Sequence, residues 1–103
     1  METPSANAPS YIGAAAILEK KKKYIMPCLG HFYSEPRQIV RGEMQYLYDS
    51  EGRQYLDCFA GVSVINCGHC NPEINAAVTE QLNTLQHVCN IYLTENFVNL
   101  AEK

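Results

Sequence analysis

The chain has 103 residues, a formal net charge of −3, 47% apolar residues and 18% charged residues. Such a length allows at most one domain with a modest core, and the composition is that of a globular chain, not a disordered one. The weak negative charge argues against a nucleic-acid partner, and no apolar run approaches the about 20 residues that cross a bilayer.

The N-terminal part of the chain predicts an arm followed by a helix. Residues 1–9 are small, polar and proline-containing, which predicts a disordered arm. They lack the features of a targeting segment, so we expect a cytoplasmic location and leave a mitochondrial one open. Residues 10–24 predict a helix, because alanine, leucine, glutamate and lysine favour helices. The four lysines at 20–23 fall in its last turn and read as a solvated helix end.

The clearest local signal is a β-hairpin. A strand-like stretch at 38–41 precedes it, and residues 45–48 and 54–57 form its two strands. Asp49 opens the connecting turn, and Gly52 can adopt the positive φ that a bulged hairpin loop needs. No third strand is evident for this hairpin, and an isolated hairpin is marginal in water. We therefore expect the hairpin to need further structure.

The C-terminal part predicts an irregular segment and two helices. Residues 58–67 are apolar but contain glycine, serine and asparagine, which indicates an irregular extended segment. Asn71 suits an N-cap and Pro72 the first helical position. Thr94 is expected to cap a last helix, which runs to the chain end without a stop signal. The first of these helices should bury a stripe made of Ile74, Val78, Leu82, Leu85 and Val88.

The cysteines allow three interpretations. Five cysteines cannot all pair within the chain, and we expect reduced thiols. Cys67 and Cys70 have the spacing of a dithiol redox site, but too little chain follows them for the strands and helix of a thioredoxin fold. A zinc site would need His87 and Cys89 as well, and these two lie too close together for the usual second ligand pair. The third interpretation is a structural bend at residues 68–69.

The order of several motifs resembles the class III pyridoxal-phosphate-dependent aminotransferases. Residues 49–57 fit the pattern D-x-x-G-x-x-Y-hydrophobic-D, and residues 68–72 fit G-H-x-x-P at the start of a helix. Residues 24–27 and 32–36 are similar to the N-terminal arm of the alanine–glyoxylate aminotransferase branch. The resemblance covers about residues 17–103. One departure is Asn71, where many relatives carry histidine.

The resemblance implies an α+β N-terminal segment of a type I aminotransferase (α/β) fold, with a helical arm, a β-hairpin and then amphipathic helices. Residues 10–36 would form the N-terminal helix and arm. Residues 37–103 would form a segment of the small N-terminal domain, cut before the large cofactor-binding domain.

The resemblance also implies a function. Members of the family move an amino group between an amino acid and an oxoacid, work as homodimers and use pyridoxal 5'-phosphate. Their Schiff-base lysine lies in the large domain and matches no lysine here. We therefore expect no catalytic, cofactor-binding or metal-binding residue in this chain, and no activity of the chain alone. An alanine- and glyoxylate-like pair is expected, while phospho-lyase, ornithine and 4-aminobutyrate chemistry stay open. So do a dithiol–disulfide oxidoreductase and a non-catalytic truncated module.

Three residues are candidate substrate-binding residues through the resemblance. Val62, which follows Gly61, matches a position that lines the substrate pocket in relatives. Phe32 matches an arm position that carries tyrosine in several relatives. Both side chains are apolar, which suggests an uncharged side of the substrate. Asp49 and Asp57 are interpreted as a turn opener and a strand-end acceptor, not as a catalytic pair.

Overall fold

The computed structural model describes residues 10–103, which fall into two compact units, residues 10–70 and Asn71–Lys103. The expected arm at residues 1–9 lies outside the described residues. Within the part that is described, no helix is long and apolar enough to cross a membrane.

Helix α1 (Ala14–Tyr24) opens the first unit. The predicted helix is confirmed, with a start four residues later, after Gly13 at φ 83°. The side chain of Gln38 accepts a 2.8 Å hydrogen bond from the Gly13 amide and so ties the helix start to the strand region. Three of the four lysines, Lys20, Lys22 and Lys23, are exposed, while Lys21 is half-buried. Lys22 pairs with Glu19 at 2.7 Å, with both side chains 72% exposed. The expectation of a solvated helix end is confirmed.

Three strands form one antiparallel sheet in the order β1 (Ile39–Glu43), β2 (Tyr46–Asp49) and β3 (Gln54–Leu56). The predicted hairpin is confirmed, but the expectation that it has no third strand is wrong. Strand β1 pairs with β2 because the chain reverses at Met44, whose φ is 48°. A register irregularity in β1 bends the strand near its start.

The turn between β2 and β3 is organised around Asp49, which is only 3% exposed. Its Oδ1 accepts hydrogen bonds from the amides of Glu51 and Arg53, both 2.9 Å, and its Oδ2 accepts one from the Tyr55 hydroxyl at 2.8 Å. Burial raises the pKa of Asp49, but these three donors outweigh it and hold the pKa below its usual value. Gly52 has φ 82°. The expected roles of Asp49 and Gly52 are confirmed.

The segment after β3 is irregular but not extended. It contains the one-turn helix α2 (Ala60–Ser63), whose four residues have φ values of 48°, 59°, 65° and 63°. The turn is therefore left-handed, and it is closed by a 2.9 Å bond from the Val64 amide to the Ala60 carbonyl. The expectation of extended backbone at 58–67 is wrong, because only Gly61 signals left-handed backbone in this sequence.

Helix α3 (Pro72–Thr84) opens the second unit as expected, since the Asn71 side chain accepts a 3.0 Å bond from the Glu73 amide. The helix ends at Thr84, and Leu85 is extended at φ −160°. The prediction that its stripe continues in helical form through Val88 is therefore wrong. Gln81 donates a 2.6 Å side-chain bond to the Leu85 carbonyl and replaces the lost helical partner.

Helix α4 (Glu95–Glu102) follows Thr94, which occupies the N-cap position but makes no side-chain capping bond. The predicted cap position is thus confirmed, whereas its hydrogen bond does not form. Asn96 of this helix donates a 2.7 Å bond to the side chain of Gln81 on α3.

The apolar faces of both helices are open in this chain. Among residues 10–103 no apolar side chain is fully buried. The expected stripe of α3 is half exposed, from 45% at Ile74 to 53% at Leu82, and Phe97 of α4 is 73% exposed. Periodicity identified these faces, but the described residues do not cover them.

Candidate functional site

An aspartate–histidine pair links the end of β3 to the bend before α3. Nε2 of His69 lies 2.6 Å from Oδ2 of Asp57, and the two side chains are 20% and 8% exposed. The hydrogen bond from His69, followed by those from the amides of Ala60 and Phe59, lowers the pKa of Asp57. Because Asp57 is then a carboxylate and can only accept, Nε2 of His69 is the donor.

The backbone of His69 is fixed to the sheet. Its amide donates to the Met44 carbonyl at 2.7 Å, and its carbonyl accepts from the Met44 amide at 2.8 Å. A Cβ placed on Gly42 of β1 would lie 2.8 Å from the Cβ of His69, so glycine is needed for this approach. Gly68 has φ 88°, and its Cβ would lie 3.0 Å from the Cα of Met44. Two glycines thus allow the histidine to pack on the strand.

The other carboxylate oxygen of Asp57 holds the start of the left-handed turn. Its Oδ1 accepts hydrogen bonds from the amides of Phe59 at 3.0 Å and Ala60 at 2.9 Å. Left-handed backbone costs about 1–2 kcal/mol for each residue other than glycine. Three residues other than glycine have this backbone conformation here: Ala60 before Gly61, and Val62 and Ser63 after it. Strain of this kind persists only where the surroundings impose it, and it is concentrated at functional sites.

The turn exposes one of the candidate residues. Val62 lies on it with φ 65° and is 71% exposed, and Gly61 precedes it with φ 59°. Phe32 lies in the loop between α1 and β1 and is 98% exposed, so it makes almost no contact with the turn. The structure therefore brings Gly61 and Val62 together and leaves Phe32 apart from them.

The sequence interpretation missed the pairing of Asp57 with His69. The expected role of Asp57 as a strand-end acceptor is confirmed, but residues 68–69 were expected only to form a bend, and Gly42 had no expected role. A signal was present, because both residues belong to the motifs that carried the family resemblance. The sequence does not show that Asp57 and His69, twelve positions apart, are in contact.

The two cysteines of the C-x-x-C motif, Cys67 and Cys70, both precede helix α3. The five cysteines all lie within residues 10–103, are exposed and form no disulfide bond with one another. Helix α3 starts at Pro72, beyond both Cys67 and Cys70, so neither thiol lies at the helix N-terminus that would activate it. Cys70 has φ 50°. Across residues 10–103 no group of three histidine, cysteine or acidic side chains is placed to hold a metal ion.

The fold is similar to that of a solved phospholyase from Arthrobacter in complex with phosphoethanolamine. The TM-score is 0.74 at 32% identity, and the match covers 84% of this chain and 20% of that one. Together with the helices and the small antiparallel sheet, this defines the chain as an α+β segment of the aminotransferase fold.

Residues 31–103 match the model of the family described as Aminotransferase class-III. The chain is 44% identical over 96 residues to alanine–glyoxylate aminotransferase 2 homolog 2, mitochondrial, of Arabidopsis thaliana, covering 91% of this chain and 20% of that protein. It is 39% identical over 87 residues to the acetylornithine aminotransferase of Archaeoglobus fulgidus, covering 84% and 22%. The chain belongs to the class III aminotransferase family, and it spans about a fifth of the length of these relatives.

The cofactor of this family is pyridoxal 5'-phosphate, which supplies an electron sink for amino-group chemistry. The cleft that the described residues form does not have the chemistry of a binding site for this cofactor. The cleft of about 310 Å³ beside the Asp57–His69 pair is lined by no lysine or arginine, and the carboxylate of Asp57 would repel a phosphate there. The lysines at 20–23 lie on α1, away from this cleft.

Proposed function

We propose that the chain is the N-terminal part of a pyridoxal-phosphate-dependent transaminase that moves an amino group between an amino acid and an oxoacid. Within the class, the proposal is an alanine- and glyoxylate-like pair. The identity of 44% to an alanine–glyoxylate aminotransferase relative, against 39% to an acetylornithine one, supports this choice.

In this proposal the chain supplies one wall of the substrate pocket. The observation that carries it is the strained left-handed turn, which presents the apolar side chain of Val62 at the surface. Apolar walls with few polar groups are typical of small-molecule pockets. Gly61 gives the turn its glycine, and Phe32 on the arm contributes once a partner surface covers it. Apolar side chains at 32 and 62 suit an uncharged side of the substrate.

The proposal includes a homodimer whose reactive lysine lies outside this segment, so the chain alone is inactive. Support comes from the apolar faces of α3 and α4, which the described residues leave uncovered. A cytoplasmic location is proposed by default, and relatives named as mitochondrial support the mitochondrial alternative. Cell fractionation with an antibody against this segment would decide between the two.

Replacing Val62 with tryptophan in the complete enzyme tests the pocket assignment. A bulkier wall should change the ratio of kcat/KM for alanine to that for a larger amino donor by about tenfold or more. Cofactor content, read from its visible absorbance, should stay at the wild-type level. Val64→Trp is the matched control, because Val64 is the same residue type and is also 71% exposed.

The control variant should leave the substrate ratio within about twofold of wild type. Loss of cofactor with unchanged selectivity in Val62→Trp would contradict the pocket assignment. Equal changes of selectivity in both variants would contradict it as well, since the effect would then belong to the whole segment.

A further inference from the structure

The left-handed turn has an anchor that the pocket assignment leaves unexplained. The amides of Ala60, its first residue, and of Phe59, the residue before it, both donate to Oδ1 of Asp57. The other backbone bonds of the turn are local. The amides of Val62 and Ser63 donate to the Phe59 carbonyl, each at 3.1 Å, and those of Val64 and Ile65 donate to the Ala60 carbonyl at 2.9 and 3.1 Å. The carboxylate is thus the contact that attaches the start of the turn to a residue outside it.

Asp57 is itself held on two sides. Its amide donates a 2.9 Å bond to the carbonyl of Gln45, in the turn before β2. Its second oxygen, Oδ2, accepts the 2.6 Å bond from His69. With Oδ2 engaged, the carboxylate can rotate little, and Oδ1 stays directed at the turn. A charge-assisted bond of this length fixes geometry more firmly than a neutral one.

His69 transmits the position of the sheet to this carboxylate. Two backbone bonds to Met44 fix its main chain, and the absence of a side chain at Gly42 lets its ring pack on β1. A continuous path therefore runs from β1 through His69 and Asp57 to the turn that carries Val62.

We propose that Asp57 and His69 are positioning residues, which hold the left-handed turn so that the side chain of Val62 faces the substrate. The pair touches neither substrate nor cofactor in this account and acts only through the turn. The inference rests on the proposed function, because it needs Val62 to line the pocket.

Two substitutions of His69 in the complete enzyme separate positioning from general structure. Leucine at this position removes the donor to Asp57, whereas glutamine carries an amide nitrogen that can replace Nε2. His69→Leu should shift the kcat/KM ratio between a small and a large amino donor by about tenfold, and His69→Gln should restore it to within about threefold of wild type. His87→Leu is the control, since His87 is exposed and lies in the other unit.

A double-mutant cycle with Val62→Ala tests the path directly. In this background the valine side chain is gone, so His69→Leu should change the substrate ratio by less than about twofold. A uniform loss of kcat/KM for all donors, with the same size in both backgrounds, would overturn the inference and leave His69 a structural residue. An unchanged ratio in His69→Leu would overturn it too.

Amide hydrogen exchange supplies a readout that is independent of activity. The amides of Phe59 and Ala60 should exchange about tenfold faster in His69→Leu and near the wild-type rate in His69→Gln. Unchanged exchange in His69→Leu would refute the anchoring. The two proposals fail differently: a wild-type protein without amino-group transfer ends the proposed function, whereas transfer with unaltered selectivity in His69→Leu ends only this inference. If His69→Leu does not fold, Asp57→Asn, which removes the charge from the same bond, gives the same comparison.

Discussion

Replacing Gly68 with alanine tests how tightly the bend before His69 is held against the sheet. At φ 88° an alanine is in left-handed backbone, which costs about 1–2 kcal/mol. Its Cβ would also lie 3.0 Å from the Cα of Met44, a backbone atom that cannot move aside cheaply. Displacing Met44 weakens the two bonds to His69, worth about 0.5–1.5 kcal/mol each. The total is about 2–5 kcal/mol.

Gly52→Ala is the matched control. Gly52 has nearly the same φ, 82°, but nothing lies within 4 Å of its Cβ position. This variant should therefore be destabilised only by the backbone strain, about 1–2 kcal/mol. The difference between the two variants, about 1–3 kcal/mol, isolates the contact with Met44.

Hydrogen exchange at the amides of Met44 and His69 measures this difference in the complete protein, because each of these amides donates to the carbonyl of the other residue. We expect exchange in Gly68→Ala to be roughly 5- to 150-fold faster than in Gly52→Ala, at a factor of ten for each 1.36 kcal/mol. Equal exchange in both variants would contradict this prediction, because the close approach of residue 68 to Met44 would then contribute no free energy.

Three other predictions follow from single contacts. Asn71→Ala should destabilise the start of α3 by about 1 kcal/mol, because the helix loses its capping bond. Thr94→Ala should destabilise α4 by less, because Thr94 makes no side-chain capping bond. Amide hydrogen exchange in the first turn of each helix measures both effects. Tyr55→Phe should raise the pKa of Asp49 towards its usual value, because the carboxylate loses a donor, and an NMR titration in which this pKa stays unchanged would contradict the assignment. The pKa of Asp57 lies below its usual value of about 3.9. Its contribution to stability should therefore be complete above about pH 5 and be lost as the pH falls through the folded-state pKa. In acid, the amides of Phe59 and Ala60 should lose protection relative to their intrinsic exchange rates, and Asp57→Asn should not show this pH dependence.

Local signals in the sequence predicted the parts of the fold that local physics determines. The hairpin turn follows from Asp49 and Gly52, and the start of α3 follows from Asn71 and Pro72. In each case the residue that specifies the structure lies within four positions of the contact it makes. Such contacts leave a readable pattern.

The missed features depend on contacts between distant positions. The left-handed conformation at Ala60 and Val62 has no local signal, because these residue types disfavour it. It is imposed through Asp57 by His69, twelve positions away, which in turn needs Gly42 on β1. The pairing of β1 was missed because nothing within that strand specifies its partner.

Hydrophobic periodicity predicted which faces of the helices are apolar, but not what covers them. Leu85 belongs to the same stripe as Leu82, yet the chain leaves the helix between them. The family resemblance made Val62 a candidate, and the structure places this residue, 71% exposed, on the left-handed turn; its pocket role stays a prediction.

An amino-transfer assay on the complete protein supplied with pyridoxal 5'-phosphate decides whether this segment belongs to a transaminase. With alanine and glyoxylate as substrates, we expect equal amounts of pyruvate and glycine, in a reaction whose donor selectivity responds to Val62→Trp. Absence of amino transfer from any donor, together with thiol–disulfide exchange that requires Cys67 and Cys70, would contradict it.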